Sequence, residues 1–256
     1  MPIPLRALLD RLFDDAGLFP PSRLPMADAL HAHSRAAAGP HGRVVGSFVC
    51  PSTRLGELDA CVAGGLPRPA SIAVLGYGGP AAWRGVSAAR GVVQVEAAPG
   101  VDLPPPSRRV ARYVEVPQHV PLDAALDAAQ ASGLRIKLMC GGITRDMVPS
   151  CDWLAAALVG AVARGLVVKA SGGLVQPFRQ LGPDHAHHGF VNLLAAAGAA
   201  RARHPAGTVS EVLAADEGQY SDLATYLSGS ARNLLASIAV SSIAAPLDAL
   251  ADRGLL

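Results

Sequence analysis

Short runs rich in β-branched residues recur along this chain, and each is followed by Gly or Pro and then by an Ala-rich stretch with a helical pattern. This alternation of strand and helix is typical of parallel βαβ units. Seven strands are predicted from these runs, at residues 43–49, 71–75, 92–96, 112–116, 135–139, 166–170 and 208–213. An eighth strand is predicted near residues 16–19, ahead of two prolines.

Helices are predicted between and after these strands. They cover residues 123–131, 151–164 with Ser150 as the N-cap, 190–203, and one or two segments within 222–250. Eight βα units in 256 residues predict a single (β/α)8 TIM-barrel domain spanning residues 1–256. The alternative is an open doubly wound sheet, but no Gly-x-Gly-x-x-Gly turn follows the first strand and the sequence contains no P-loop.

Charge and composition exclude some classes of partner. The chain has 22 basic and 20 acidic residues, a net charge of +2, and no long basic run. Proteins that bind nucleic acid usually carry clustered basic residues that contact the phosphate backbone and aromatic side chains on which the bases stack. This chain has no long basic run, and only 4% of its residues are aromatic. We therefore expect a small-molecule substrate and no nucleic acid, and a homo-oligomer is left open.

The cysteines and the N-terminal residues indicate a cellular compartment. Cys50, Cys61, Cys140 and Cys151 form no Cys-x-x-Cys pair, so neither a zinc ribbon nor a disulfide framework is expected. Charged side chains between positions 6 and 15 interrupt any signal-like apolar run. The longest clean apolar stretch, 154–163, is too short to cross a bilayer. The chain is expected to be soluble, cytoplasmic and without a membrane partner.

Two lysines carry the chemical argument, because all other basic residues of the chain are arginines. Lys137 and Lys169 each lie late in a predicted strand, about one βα unit apart, and so are expected on neighbouring strands roughly 5 Å apart. Glu96 and Glu115 lie late in the two preceding strands. Active sites of TIM barrels form where the strands end, so these four groups should converge on one axis.

The predicted roles follow from this convergence. An amine beside a second cation in an apolar barrel loses proton affinity and can form a Schiff base with a carbonyl or relay protons. Lys169 is predicted to be this amine, Lys137 its electrostatic partner, and Glu115 or Glu96 the proton carriers. A buried ion cluster of the same four residues is the structural alternative.

A Gly-Gly pair follows each lysine and is predicted to bind an anionic part of the substrate through backbone N–H groups. The predicted anion-binding residues are Gly141, Gly142, Ser171, Gly172 and Gly173. Arg145 and Arg179, a few residues further on, are expected either to clamp an anion or to lie in solvent.

A histidine-rich segment at residues 184–189 provides a second candidate. His185 and His187, with Asp184 or Glu115, could ligate the metal of a hydrolase. However, His-x-His supplies only two ligands, so no tightly bound metal or other cofactor is expected. His187 or His188 is instead predicted to be an acid, a base or a substrate contact on a loop over the barrel mouth.

Two further residues are predicted to contact substrate. Asp14 and Asp15 lie near the first predicted strand, and one of them is expected either to point into the site or to cap a helix. Asp15 is the one predicted to contact substrate. Asn192, within Gly-Phe-Val-Asn, is the other.

Two family resemblances add expectations. The string VKASGG at 168–173 resembles the strand of deoxyribose-phosphate aldolases that carries their second active-site lysine, although the Schiff-base motif of that family is absent from the preceding strand. Four strings are similar to an uncharacterised bacterial family of predicted barrels, namely FDDAGLFPP (13–21), KLMCGG (137–142), GFVN (189–192) and PLDAL (246–250). That family tends to carry a His-His pair where this chain has Val175 and Gln176.

The sequence thus predicts an enzyme for a small carbonyl or carboxylate substrate, acting by lysine-assisted carbon–carbon bond chemistry or enolisation, as lyases of the aldolase type and isomerases do. A metal-dependent hydrolase using the histidine loop is the second interpretation. The third interpretation is a non-catalytic barrel that serves as a binding or scaffold subunit. It stays open because Val175 and Gln176 replace the His-His pair of the similar family.

Overall fold

Eight parallel strands close into a barrel, and a small antiparallel sheet follows the seventh of them. The computed structural model describes residues 5–76, 83, 86–87, 90–98, 100–142, 144–182 and 186–256. Its strands are β1 (Phe13–Asp15), β2 (Val45–Pro51), β3 (Ile72–Gly76), β4 (Val92–Ala97), β5 (Ala111–Val116), β6 (Arg135–Met139), β7 (Val168–Ser171), β8 (Gln180–Leu181), β9 (Ala186–His187) and β10 (Leu235–Val240). The barrel order is β1-β10-β7-β6-β5-β4-β3-β2, which confirms the predicted TIM barrel.

Helices surround this barrel unevenly. They are α1 (Leu5–Leu8), α2 (Met26–Ala38), α3 (Leu55–Ala63), α4 (Leu122–Ala131), α5 (Cys151–Ala163), α6 (Phe190–Arg201), α7 (Ala206–Ala214), α8 (Tyr220–Ala224), α9 (Ala231–Leu234) and α10 (Ala244–Ala251). Four of these helices lie between β7 and β10, whereas the described residues between β4 and β5 form no helix. Helix α4, which follows β5 in the chain, packs against β5 and β6.

Helix α6 is enclosed by a second layer of helices. All but the last of its residues are buried, and α7, α8 and α9 pack against it. A helix that is apolar on every side needs such a cover, because each of its faces must be removed from water. Its Phe190 ring meets the Phe13 ring of β1 edge-on, with ring centroids 5.2 Å apart.

Helix α5 begins where the sequence predicts. The Ser150 hydroxyl accepts a hydrogen bond from the Trp153 backbone N–H at 3.1 Å, which satisfies one free donor of the first turn. The stretch Arg145–Ala163 is long and apolar enough to cross a membrane by length and composition. However, only α5 within it is α-helical, and its 13 residues span about 20 Å, short of a bilayer core of about 30 Å. Leu154, Leu158 and Ala161 bury its inner face in the barrel core.

The strand predictions hold for six runs and are wrong in three details. Residues 208–213 belong to helix α7, because Val209, Val212 and Leu213 have helical spacing and are the buried residues of that helix. The first strand is β1, just before the predicted position at residues 16–19. The remaining strand, β10, lies in a region predicted to be helical, since two alanines weaken its β-branched pattern.

Candidate functional site

The two lysines lie side by side inside the barrel. Lys137 on β6 and Lys169 on β7 are register partners, which confirms that they occupy neighbouring strands. The Lys169 ammonium also contacts Glu96 on β4, and β4 is separated from β7 by two strands of the closed sheet. A contact between such strands passes through the barrel interior, so Lys169 points inward.

Asp14 on β1 completes the surroundings of Lys169. Its Oδ2 atom lies 2.6 Å from Lys169 Nζ and accepts hydrogen bonds from Gln94 Nε2 at 2.8 Å and Ser237 Oγ at 2.7 Å. Its Oδ1 atom accepts a hydrogen bond from the Ser47 backbone N–H at 2.7 Å. One carboxylate therefore ties together five strands, β1, β2, β4, β7 and β10.

The chain of charges continues from Lys169 toward solvent. Glu96 Oε2 lies 3.1 Å from Lys137 Nζ, and Lys137 Nζ lies 3.8 Å from Glu115 Oε2 on β5. Lys169 is fully buried, whereas the Lys137 side chain is 8% exposed and that of Glu115 is 32% exposed. We call these five groups, Asp14, Lys169, Glu96, Lys137 and Glu115, the barrel ion network. Its three carboxylates and two ammonium groups leave one negative charge in excess.

The electrostatics of Lys169 contradict the sequence-based expectation. Burial opposes its charge, but Asp14 and Glu96 raise the pKa of Lys169 above its ordinary value of 10.5. Likewise, burial favours a neutral Glu96, but Lys169 and Lys137 lower its pKa to about 2. Lys169 was expected to lose proton affinity beside a second cation. It gains proton affinity instead, because two carboxylates contact it directly.

The paired glycines have a packing role. A Cβ atom on Gly172, whose φ is +84°, would overlap the Gly141 carbonyl oxygen, so the loops after β6 and β7 meet backbone to backbone here. A Cβ atom on Gly142 would come within 2.5 Å of Met147, and Gly173 is exposed with φ of +67°. Tight loop packing thus explains these glycines without a ligand, and their predicted binding of an anion stays a prediction.

Ser171 lies one layer above Lys169. It follows Lys169 by two residues on β7, so it faces the same interior toward the C-terminal ends of the strands. Its hydroxyl contacts the Met139 sulfur at 2.8 Å. Ser171 is therefore placed where a substrate above the barrel ion network would meet it.

The structure places Asp14, and not Asp15, in the network, so the contact of Asp15 with substrate stays a prediction. The Asp15 carboxylate contacts His33 Nδ1 on α2 at 3.2 Å and accepts a hydrogen bond from the Gly17 N–H. The His33 ring in turn packs on Phe48 in the core cluster between the barrel and α2 and α3. Successive strand residues face opposite sides, which sends Asp14 inward and Asp15 toward the helices.

Asn192 has a structural position rather than the predicted contact with substrate. It is fully buried near the start of α6, and its Nδ2 group donates hydrogen bonds to the carbonyls of Val212 and Ala215 at 3.0 and 2.8 Å. Its Oδ1 atom accepts a hydrogen bond from the Arg179 backbone N–H at 2.9 Å. The amide thus joins α6, the end of α7 and the loop after β7.

The histidine loop forms part of a small hairpin. His187 lies half-buried on β9, paired in register with Gln180 of β8. His188 is buried, and its Nε2–H donates a hydrogen bond to the Pro149 carbonyl at 2.7 Å, while burial lowers its pKa. The hairpin therefore lies against the loop after β6, and the role of His187 or His188 as an acid, a base or a substrate contact stays a prediction.

Asp184 and His185, on which the metal-site interpretation depends, lie outside the described residues. Within the described part of the chain, no three His, Cys, Asp or Glu side chains are grouped to hold a metal ion.

A cavity of about 440 Å³ lies between the loops after β6 and β7. Arg145 and Arg179 both line it, together with His188 and the first residues of α5. The structure thus places the two arginines predicted to bind an anion at one cavity. Neither Lys137 nor Lys169 lines this cavity.

Three residues that donate hydrogen bonds to Asp14 were not identified from the sequence, namely Gln94, Ser237 and Ser47. Gln94 could have been found, because it precedes Glu96 by two residues and so shares its inward face. Ser237 lies on the strand that was predicted to be helical, and Ser47 contributes through its backbone, which leaves no sequence pattern.

Comparison with known proteins gives no further assignment. A scan against protein-family models finds no match to the chain, and searches of curated proteins and of solved structures find none either. The two resemblances noted from the sequence stay predictions.

Acid should weaken the fold through Glu96. Its pKa is about 2 in the fold and near 4.5 ordinarily, so its ionised form contributes stability above pH 4.5 that is lost as the pH falls toward 2. We expect the difference in unfolding free energy between the wild type and Glu96→Gln to shrink across this window, as measured by urea denaturation. A difference that stays constant from pH 6 to pH 2.5 would show that Glu96 is not held ionised by the lysines.

Replacing Asn192 should destabilise the protein rather than alter ligand binding. Asn192→Ala leaves up to three buried backbone groups without a partner, and each such group costs about 1–3 kcal/mol. Chemical denaturation should therefore show a loss of at least about 2 kcal/mol. The matched control is Asn233→Ala, at an exposed position of α9, where a change within about 0.5 kcal/mol is expected. Equal stability of the two variants would restore Asn192 as a candidate binding residue.

Proposed function

We propose that this protein is an enzyme that acts on a small carbonyl or carboxylate substrate by lysine-assisted carbon–carbon bond chemistry or enolisation. The observation that carries the proposal is the barrel ion network, which runs from an enclosed lysine to a lysine and a carboxylate that solvent reaches. It lies where the strands of TIM-barrel enzymes place their reactive groups. Fold alone does not define a reaction, so the argument depends on these side chains.

Within this proposal, Lys137 replaces Lys169 as the reactive amine. Lys169 is fully buried and held protonated by two carboxylates, and an ammonium has no lone pair with which to attack. The Lys137 side chain keeps slight access to solvent, at 8% exposed, and of its contacts with Glu96 and Glu115 the second is long, at 3.8 Å. Lys169 is then a positioning residue that fixes Glu96 and Asp14.

Glu115 is suited to move the protons of this chemistry. Transfer of a proton from Lys137 to Glu115 removes one positive and one negative charge together, so the network keeps its single excess negative charge. The neutral amine then attacks the carbonyl carbon, a C–N bond forms, and the former carbonyl oxygen takes the proton from Glu115. Loss of water leaves a protonated imine, which withdraws electrons from the adjacent carbon during bond cleavage or enolisation.

Glu96 is placed to stabilise this cationic intermediate. Its Oε2 atom is buried and lies 3.1 Å from Lys137 Nζ. A protonated imine nitrogen formed at Lys137 would face this carboxylate. Such a fixed charge, oriented before the reaction, is the kind of group that stabilises a developing charge effectively.

A non-catalytic barrel is the competing proposal, and the complete pairing of Lys169 favours it. Asp14, Glu96 and Lys169 are each at most 2% exposed, and together they fill the barrel interior as a structural ion cluster would. In that case Lys137 would only complete the cluster and would show no reactivity toward carbonyls.

We also propose that the protein is cytoplasmic, that it binds a small-molecule substrate, and that it binds neither nucleic acid nor a membrane. The four cysteines are free thiols, as expected in a reducing compartment, and two of them, Cys50 and Cys140, are buried. The apolar helix α5 is a core helix of the barrel.

Trapping with borohydride tests the proposal. Incubation with acetaldehyde or pyruvate followed by sodium borohydride should add one substrate-derived group to Lys137, identified by peptide mass spectrometry. Lys137→Arg keeps a positive charge but cannot form an imine, so it should abolish the adduct while the fold is retained by circular dichroism. Because the chain has only two lysines, the unmodified Lys169 peptide is an internal control.

The result of the trapping experiment distinguishes the enzyme from the non-catalytic barrel. An adduct on Lys169 would contradict the roles assigned to the two lysines. A folded protein that yields no adduct with either compound or with other short aldehydes, ketones and 2-oxo acids would remove covalent catalysis and favour the non-catalytic barrel.

A further inference from the structure

A groove rich in arginine lies at the end of the barrel opposite the predicted mouth. It has a volume of about 400 Å³, within the usual range for small-ligand sites. Arg112 lies at the start of β5 and Arg135 at the start of β6, whereas reactive groups of TIM barrels lie at the strand ends. Arg108 and Arg109 complete its charged wall. We call this feature the arginine groove.

The loop before β5 presents two of these arginines. Ser107 and Val110 form an isolated antiparallel bridge, and the Arg109 N–H donates a hydrogen bond to the Ser107 hydroxyl at 3.2 Å. This tight turn places Arg108 and Arg109 at its tip, and both side chains are exposed. The groove is therefore open to solvent along this wall.

The other two arginines are held by the strands. Arg135 donates a hydrogen bond to the Tyr113 hydroxyl at 3.3 Å and lies over its ring, with the guanidinium carbon 5.7 Å from the ring centre. The Nε atom of Arg112 is buried, and it has no hydrogen-bond partner among the described residues. A buried guanidinium donor without an acceptor is costly, which points to an acceptor supplied from outside the chain.

The charge of the groove is uncompensated. Its lining contains no acidic residue, and none of the four arginines has a carboxylate within 4 Å in the described part of the chain. By contrast, Arg54, Arg164 and Arg253 each form ion pairs with neighbouring acids. Four positive charges around one small groove repel each other, and a bound anion would remove that repulsion.

We propose that the arginine groove binds a small ligand bearing a di- or triphosphate group. Guanidinium groups form paired hydrogen bonds with phosphate oxygens, and several of them are needed to balance a multiply charged anion. Val93, 39% exposed at the same groove, offers an apolar surface to an organic part of the ligand. The lining of the groove includes neither lysine, so this binding does not depend on the function proposed for Lys137.

Calorimetric titration with inorganic pyrophosphate and tripolyphosphate tests this site in the intact protein. We expect saturable binding of one anion per chain at low ionic strength, weakening as potassium chloride is added. Arg109→Ala and Arg112→Ala should each weaken binding about tenfold or more, since a hydrogen bond to a charged group contributes on that scale. Arg112→Lys keeps the charge but loses the fork, so it should bind more weakly than the wild type.

The control variant is a substitution outside the arginine groove. Arg201→Ala removes an exposed arginine from α6, away from the groove, and should leave binding unchanged. Absence of binding at low salt, or equal binding by Arg109→Ala and Arg201→Ala, would overturn the proposal. Because Arg109 is exposed, its replacement should not unfold the protein. Tighter binding of a short single-stranded oligonucleotide than of tripolyphosphate would also overturn it, in favour of a nucleic-acid surface.

Discussion

The ammonium group of Lys169, held between Asp14 and Glu96, is the interaction on which the barrel interior depends. These three side chains come from β7, β1 and β4, of which no two are neighbours, so their contacts cross the barrel interior. Removing a charged group from water costs several kcal/mol unless partners and hydrogen bonds replace the water. Asp14 meets this condition with four donors, from the two side chains Gln94 and Ser237, the Lys169 ammonium and the Ser47 backbone.

This arrangement explains several small residues nearby. Gly46 on β2 leaves room for Asp14, because a Cβ atom there would overlap the Asp14 carboxylate. Gly141 and Gly172 let the loops after the two lysine strands touch through their backbones. The same strands that position the charges are thus connected tightly where they end.

The sequence predicted the parts of this structure that depend on local pattern. Strands β2 to β7 follow from their β-branched runs, and the neighbouring positions of Lys137 and Lys169 follow from one intervening βα unit. Strand β10 was missed because two alanines weaken its pattern, and helix α7 was misassigned because its buried residues also suit a strand. The role of Asn192 depends on α7, so it could not be found without that helix.

The sequence left the charge state of Lys169 open between a reactive amine and a member of a buried ion cluster, and it did not identify Asp14 as a partner. Register along neighbouring strands can be predicted, but the partners of Lys169 are on β1 and β4, across the barrel interior. The three-residue strand β1 is too short for alternation alone to show whether Asp14 or Asp15 faces inward. Consequently the pKa shift of Lys169 was predicted in the wrong direction, and we propose Lys137 rather than Lys169 as the reactive amine.

The most direct measurement is a pH titration by nuclear magnetic resonance of protein labelled with nitrogen-15 at the lysine side chains. The chain contains two lysines, so two Nζ signals are expected, and the Lys137→Arg variant assigns them. We expect the Lys169 signal to remain that of an ammonium group at every pH up to the ordinary lysine value of 10.5, as long as the protein stays folded. A Lys169 signal that changes to that of a neutral amine between pH 6 and pH 9 would contradict this expectation.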